Sequence, residues 1–554
     1  MEYFHYLDWI VLGLFFIGLI GIVVWVSRMK EDTSADYFLA GRDATWLAIG
    51  ASIFASNIGS EHLVGLAGAG ASSGMAMAHW EMHGWVILVL GWVFVPFYSR
   101  SMVYTMPEFL ERRYNASARS LLSIISLVSY VLTKVAVTVY AGGVVFKNVF
   151  GIEEIWGIDF FWISAVGLVV LTGIYTVIGG MKAVLYTSVF QTPILLIGSI
   201  VIVILGLIKV GGWGEVERIC DINQTPLGDS MLSLIRSPKD PEFPWTGVIL
   251  GSAIIGFWYW CTDQYIVQRV LSAKNQTHAR RGAIFAGYLK LTPVFIFLIP
   301  GLIAFALNQK GLMPLSSSDA AFPTLVTFLL PIGLKGIVVG GLIAALMSSL
   351  ASLFNSSAIL FTVDFYKKFK PDSSEKHLVT VGRIATAVIV VLGILWIPVM
   401  KSIGKVLYAY LQDVQSILAP GIAVAFFFGV FWKRTTPAGG LTALITGFTL
   451  GMTRLFFTVF ANRFTDTTTI YYKIFVETNW LHYEVVNFFI CIAMLVIVSL
   501  TTKRAPDEKL LGLTFASSSR EQKAETRASF NKWDVVHSVI IVSVIVAFYI
   551  YFWR

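Results

Sequence analysis

The chain has 554 residues, 56% of them hydrophobic and only 13% charged, with a mean hydropathy of +0.74. Soluble domains carry about 25% charged residues, so so apolar a chain could not cover a soluble surface and is expected in a membrane. The net charge of +8 does not mark a nucleic-acid binder, because the basic residues are spread over short loops rather than gathered on one face. Cys220, Cys261 and Cys491 make no disulfide framework. Glu2 and Asp8, with no Lys or Arg before the first apolar run, are the wrong start for a cleaved signal peptide, so that run reads as a retained span.

A spanning helix needs about 20 apolar residues. Fourteen candidates follow in chain order, near 7–27, 44–66, 74–97, 119–146, 158–178, 183–208, 244–267, 282–308, 336–363, 380–400, 403–431, 437–461, 480–502 and 533–553. Most of the 41 Lys and Arg fall in every second loop, from Arg28, Lys30 and Arg42 to the run between Lys503 and Lys532. Positive loops face the cytoplasm. The pattern therefore predicts a multi-pass plasma-membrane protein (the inner membrane, if bacterial) with both termini outside. Lys134, Lys290 and Arg454 fall inside spans. Residues 209–243 form a longer outer loop and 503–532 a longer inner one, neither large enough for a catalytic domain. No Walker phosphate loop and no His/Cys cluster with metal-site spacing is present in the sequence.

Polar side chains interrupt six of these spans. In the second, ATWLAIGASIFASNIGSEHLVGLAGAG, small residues suit close helix packing, but Asn57, Glu61 and His62 in one stretch point to an unwound helix whose carbonyls line a site. Glu81 in the third span is costly at that depth, and Lys290 of the eighth is its expected partner, in a structural pair, a polyol-binding pair, or both. The seventh, GVILGSAIIGFWYWCTDQYIVQR, predicts a bend flanked by Gly251 and Gly256, followed by Trp258, Tyr259 and Trp260, which serve either core packing or stacking on a ligand. In the ninth, Ser348, Ser352 and Ser356 share a helix face, with Ser349 beside them. They suit either interhelical hydrogen bonds or a ring of oxygens for Na⁺, which needs no carboxylate as Ca²⁺ would. The eleventh carries Gln412, a hydroxyl partner, and Asp413, expected near the membrane surface.

The segments ASNIGSEHLVGLAGAGASSG (55–74), FWYWCTDQYIVQRVLSAKN (257–275), GYLKL (287–291), LMSSLASLFNS (346–356) and GVFWKRTTPAGG (429–440) resemble the sodium/glucose cotransporter family of sodium–solute symporters over nearly the whole chain. The resemblance implies an all-α membrane fold with a LeuT-type core of two inverted five-helix repeats. Those repeats would cover 44–208 and 244–435, with the second and seventh spans broken. The extra N-terminal span and its loop would lie in 1–43, spans 12 and 13 in 436–502, and the last span in 533–554. By motif position, the sodium site is similar to one formed by the backbone oxygens of Ala55, Ile58 and Ala345 and the hydroxyls of Ser348 and Ser349. The sugar site looks like Asn57, His62, Glu81, Lys290 and Gln412, with Tyr259 as gate and Trp260 beside it.

Three positions depart from the family's pattern. Gly256 stands where relatives carry Thr or Asn facing the sugar, Ala409 where human-type sugar carriers have Asp, and Ser188 where the family motif has an Asp associated with a second sodium site. The expected activity is import of a hexose, glucose or galactose, with one Na⁺ per sugar and no organic cofactor. Myo-inositol or another polyol, sialic acid, and an uncoupled sugar sensor are the alternatives. An enzyme is not expected, since nothing marks a nucleophile or cofactor.

Overall fold

The computed structural model describes residues 4–28, 38–59, 61–223, 225, 227–403, 407–461 and 467–553. Lys30, Pro226 and the first residues of the predicted span 403–431 lie outside them. The fold is almost entirely helical. Among the described residues, one short hairpin pairs Glu154–Ile155 with Ile158–Asp159.

Among the described residues, eleven helices are long and apolar enough to cross a membrane. They match the predicted spans except at the second, fifth and seventh. The window of Leu334–Phe369 is 94% buried, whereas that of Lys532–Tyr551 is only 22% buried. The ninth span is thus a central post, and the C-terminal span lies at the rim with apolar side chains outward. In the predicted fifth and sixth spans the finding differs from the expectation. Residues Phe160–Val210 form one continuous helix of 51 residues, with no loop at Gly179–Gly180. At 1.5 Å per residue this is about 76 Å, more than twice the ~30 Å of hydrocarbon in a bilayer.

The second span is broken, as expected. Helix Trp46–Asn57 ends when Ile58 turns extended (φ −77°, ψ 92°), and helical structure resumes at Glu61. The seventh is also broken, but not at its glycines. Helix Trp245–Phe257 runs straight through Gly251 and Gly256. A wider helical turn at Trp258–Thr262 follows, and the chain leaves the helix at Asp263 (φ −73°, ψ 128°) before Gln264–Leu271. Asp263 stabilises this break by accepting from Tyr130 Oη at 2.6 Å and from the Tyr265 amide at 3.3 Å. The glycines serve packing instead. A Cβ at Gly251 would meet Leu481 and Glu484, and one at Gly256 would meet the His83 ring.

Close packing fixes the central helices. A Cβ on Gly301 would run into the backbone of Ala67, so these two segments cross at the closest approach a backbone allows. The N-terminal span is tied in by a buried carboxylate. Asp8 Oδ1 accepts from the amides of Gly333 at 2.7 Å and Gly336 at 3.1 Å. These are at the N-terminal end of helix Leu334–Phe361, whose first amides lack intrahelical partners. Asp413 is buried, in contrast to its expected surface position, with the Arg454 cation acting on it. The three cysteines are free and buried.

Candidate functional site

The breaks release backbone oxygens. In an unbroken helix the Gly59 amide would bond to Ala55, and the His62 amide to Ile58. Here Gly59 donates to the Asn57 carbonyl at 3.0 Å, and His62 to the Gly59 carbonyl at 3.1 Å. The Ala55 and Ile58 carbonyls thereby lose their usual helical donors. Opposite them stands the serine face of helix Leu334–Phe361. Ser349 Oγ donates to the Ser56 carbonyl at 3.2 Å, and Ser352 Oγ lies 2.8 Å from Ser56 Oγ. Tyr265 Oη from the seventh span also donates to the Ser56 carbonyl. Ser348 Oγ faces elsewhere, 3.3 Å from Ser188 Oγ. Ser349 is therefore joined directly to the broken second span, and Ser348 to the helix that carries the Ser188 departure. Ala345 lies one turn before Ser349, buried in the same post. Released carbonyls and hydroxyls with little charge are suitable donors for a hard monovalent cation. Among the described residues, no group of three His, Cys, Asp or Glu could hold a metal.

A second polar region lies beside the first. A cavity is lined by six of the seven predicted sugar-site residues, Asn57, His62, Tyr259, Trp260, Lys290 and Gln412, while Glu81 is buried behind Lys290 and does not line it. Lys290 Nζ donates to Glu81 Oε2 at 2.5 Å and to Asn57 Oδ1 at 3.2 Å, and sits 5.3 Å over the Trp260 ring. Asn57 Nδ2 donates to Tyr259 Oη at 3.3 Å. Tyr408 Oη donates to Glu81 Oε1 at 2.6 Å. His62 Nε2 lies 3.3 Å from Glu81 Oε2, within ion-pair range but off hydrogen-bond alignment. One continuous network thus joins the second, third, seventh, eighth and eleventh spans. The expected Glu81–Lys290 partnership is present, and its charges neutralise each other. Such a pair survives burial only when further hydrogen bonds complete it, as Tyr408 and Asn57 do here. Gln412 Oε1 is buried in the cavity wall, with no hydrogen-bond partner among the described residues.

Sequence reasoning singled out Glu61, and Gln415 beside Gln412 in the eleventh span, without placing them in this wall, and missed His83, Trp80 and Tyr408. Tyr408 was legible: it lies one turn before Gln412 on the same helix face. His83 was visible two residues after Glu81, but its direction depends on the turn there, which the hydropathy pattern does not record. The cavity is nearly closed. About 30 Å³ can be swept by the centre of a water molecule, where one water needs about 10–15 Å³. A ring-sized solute requires the walls to part.

The sodium:solute symporter family model matches residues 37–447. The chain belongs to the sodium:solute symporter family. The sodium/myo-inositol cotransporter 2 of Mus musculus is 37% identical over 92% of this chain and 79% of its own length. The protein of the same name from Homo sapiens is 39% identical over 81% of this chain and 69% of its own. Among solved structures, a substrate-bound, outward-open Na⁺-coupled sialic acid symporter aligns with a TM-score of 0.73 at 21% identity, covering 91% of this chain and 99% of that one. The closed form of Mhp1, a nucleobase-cation-symport-1 family transporter, aligns at 0.53 and 13% identity. These structures share the fold. The symporter is thus a multi-pass membrane transporter of a family of transporters, not enzymes, and its broken helices lie where such folds build their sites.

Proposed function

We propose that the symporter imports an uncharged ring-shaped polyol, with myo-inositol as the first candidate, and that one Na⁺ enters with each molecule. The observation that carries this reading is the Glu81–Lys290–Asn57 network. It sets amide and ammonium groups in the wall, the ammonium's charge cancelled by Glu81 behind it, beside the rings of Tyr259 and Trp260. A polyol with hydroxyls at its edge suits that wall, whereas a substrate carboxylate would lie near Glu81. The names of the relatives favour myo-inositol. A hexose, glucose or galactose, is the second reading, favoured by the aromatic faces that suit a pyranose ring.

In this reading Na⁺ binds among the oxygens of Ala55, Ile58, Ala345, Ser348 and Ser349. It holds the end of the second span so that Asn57 and His62 meet the substrate. Substrate binding and closure of Tyr259 then let two inverted repeats, 44–208 and 244–435, rock to the inward-facing arrangement. Both termini lie outside. Ser188 supplies a hydroxyl where relatives carry Asp, so a second ion lacks its anion. One ion suffices energetically. A potential of 100 mV supplies about 2.3 kcal/mol per charge and a tenfold Na⁺ gradient about 1.4 kcal/mol, enough for roughly 10²–10³-fold accumulation.

The experiment is uptake of labelled myo-inositol, glucose and galactose into proteoliposomes, each with Na⁺, Li⁺ or K⁺, with charge counted. Uphill myo-inositol uptake with Na⁺ at one charge per molecule is expected. Uptake that never exceeds equilibrium would make the protein an uncoupled sensor or pore. A ratio of two would overturn the inference from Ser188.

A further inference from the structure

Two histidines one turn apart in the third span have opposite surroundings. His79 is fully bonded: Nδ1 lies 2.7 Å from Tyr549 Oη and Nε2 lies 2.9 Å from the Leu234 carbonyl. It has the partners a buried structural histidine needs. His83 is equally buried, at 3% exposure, yet its Nε2 has no hydrogen-bond partner among the described residues, and the ring lines the cavity. A ring nitrogen donates or accepts according to its tautomer, so Nε2 is left open to a hydrogen bond with a ligand hydroxyl, which can take either role.

The room for this ring comes from Gly256. A Cβ there would stand 2.8 Å from Cε1, 2.9 Å from Nδ1 and 3.0 Å from Nε2 of His83. Any side chain at 256 must displace the imidazole. The chain thus has no side-chain hydroxyl or amide at 256, and an imidazole from the third span stands against the vacated position.

We propose that His83 is a substrate-contacting residue whose Nε2 hydrogen-bonds one substrate hydroxyl, and that Gly256 is the residue that admits it. This rests on the reading of the cavity as a polyol site. The neighbouring groups support the assignment. Glu81 is occupied by Lys290 and Tyr408, and the Asn57 carbonyl by Lys290. Among the described residues, His83 Nε2 stands in the wall without a hydrogen-bond partner, as do Gln412 Oε1, Trp80 Nε1 and both ring nitrogens of His62. An unbonded buried polar atom is costly unless a ligand satisfies it.

The test is binding of myo-inositol, glucose and their monodeoxy analogues at fixed Na⁺ to the full-length protein and to His83→Ala. In the unmodified protein, one monodeoxy analogue should bind about tenfold more weakly than its parent. In His83→Ala the parent should weaken by a similar factor and that analogue should lose nothing more, while Na⁺ affinity is unchanged. Equal losses across the analogues in both proteins, or unaltered binding of the parent by His83→Ala, would overturn the proposal. If His83→Ala does not fold, Gly256→Ala gives the same readout, because its methyl pushes the ring while keeping the imidazole. Asn57→Ala and Gln412→Ala separate the two levels of inference. If they weaken binding and His83→Ala does not, the His83 assignment alone fails. If none of the three alters binding, or no probe binds, the cavity reading fails and the His83 assignment with it.

Discussion

The proposed ion contact and the proposed polyol cavity share the second span but are built from different materials. The contact between the second and ninth spans uses backbone carbonyls and serine hydroxyls. The cavity is organised around a buried carboxylate and ammonium 2.5 Å apart. Neutral oxygens can release a cation cheaply, as a coupling ion must be released in each cycle. A completed ion pair resists rearrangement, so it holds the cavity wall in register while neighbouring helices move. Removing one group should therefore have different consequences in the two regions.

The largest effect is expected in the cavity. Lys290→Ala leaves Glu81 charged and buried without its cation, which costs about 3–5 kcal/mol in comparable pairs. Thermal melting in detergent should fall sharply and substrate binding should vanish. The double variant Glu81→Gln with Lys290→Met should recover most of the stability but not the binding. If it recovers neither, the pair does more than neutralise itself. At the ion contact the order reverses. Ser349→Ala should lower Na⁺ affinity about tenfold, or about 1.4 kcal/mol, with a smaller change in melting. Unaltered Na⁺ dependence of uptake in the Ser348→Ala, Ser349→Ala double variant would remove the site from this contact.

Asp8 tests whether the ion's helix needs its remote cap. Asp8→Ala removes the acceptor for the Gly333 and Gly336 amides and should cost about 1 kcal/mol. The loss should appear in melting and in Na⁺ affinity, with substrate affinity at saturating Na⁺ unchanged. The smallest effect is expected far from both regions. Hydrogen bonds from Arg218 and Lys310 hold the half-buried Glu215 carboxyl down to about 2, from an ordinary value of 4.5. Its stabilisation is complete above the unfolded value and is lost as pH falls through that interval. Glu215→Gln should slightly flatten the acid limb of a melting curve between pH 5 and 2 and leave transport unchanged. A large effect there would mean that the outer loop bears on the core.

The two regions were not equally legible in the sequence. The network residues carry charge or aromatic rings inside apolar runs, so Glu81, Lys290 and Tyr259 stood out, and the Glu81–Lys290 pairing followed from cost alone. The ion contact rests on Ala, Ile and Ser, which ordinary helix packing also uses, and hydropathy could not separate the two. The break in the second span was visible from Asn57 to His62. The break in the seventh was misplaced because glycine marks either a bend or a close approach, and Gly256 proved to be the latter, against His83. The continuous helix through 160–210 escaped because Gly179–Gly180 looks like a loop by composition while its backbone stays helical.

The central claim is that the shared second span couples ion to substrate, and reciprocal binding tests it most directly. Myo-inositol affinity should be measured with Na⁺ replaced by K⁺, and Na⁺ affinity with and without myo-inositol, in the unmodified protein and in Ser349→Ala. The account predicts that Na⁺ strengthens substrate binding about tenfold or more, that substrate strengthens Na⁺ binding by the same factor, and that both effects shrink together in Ser349→Ala. Substrate affinity that is the same in Na⁺ and K⁺ would contradict it.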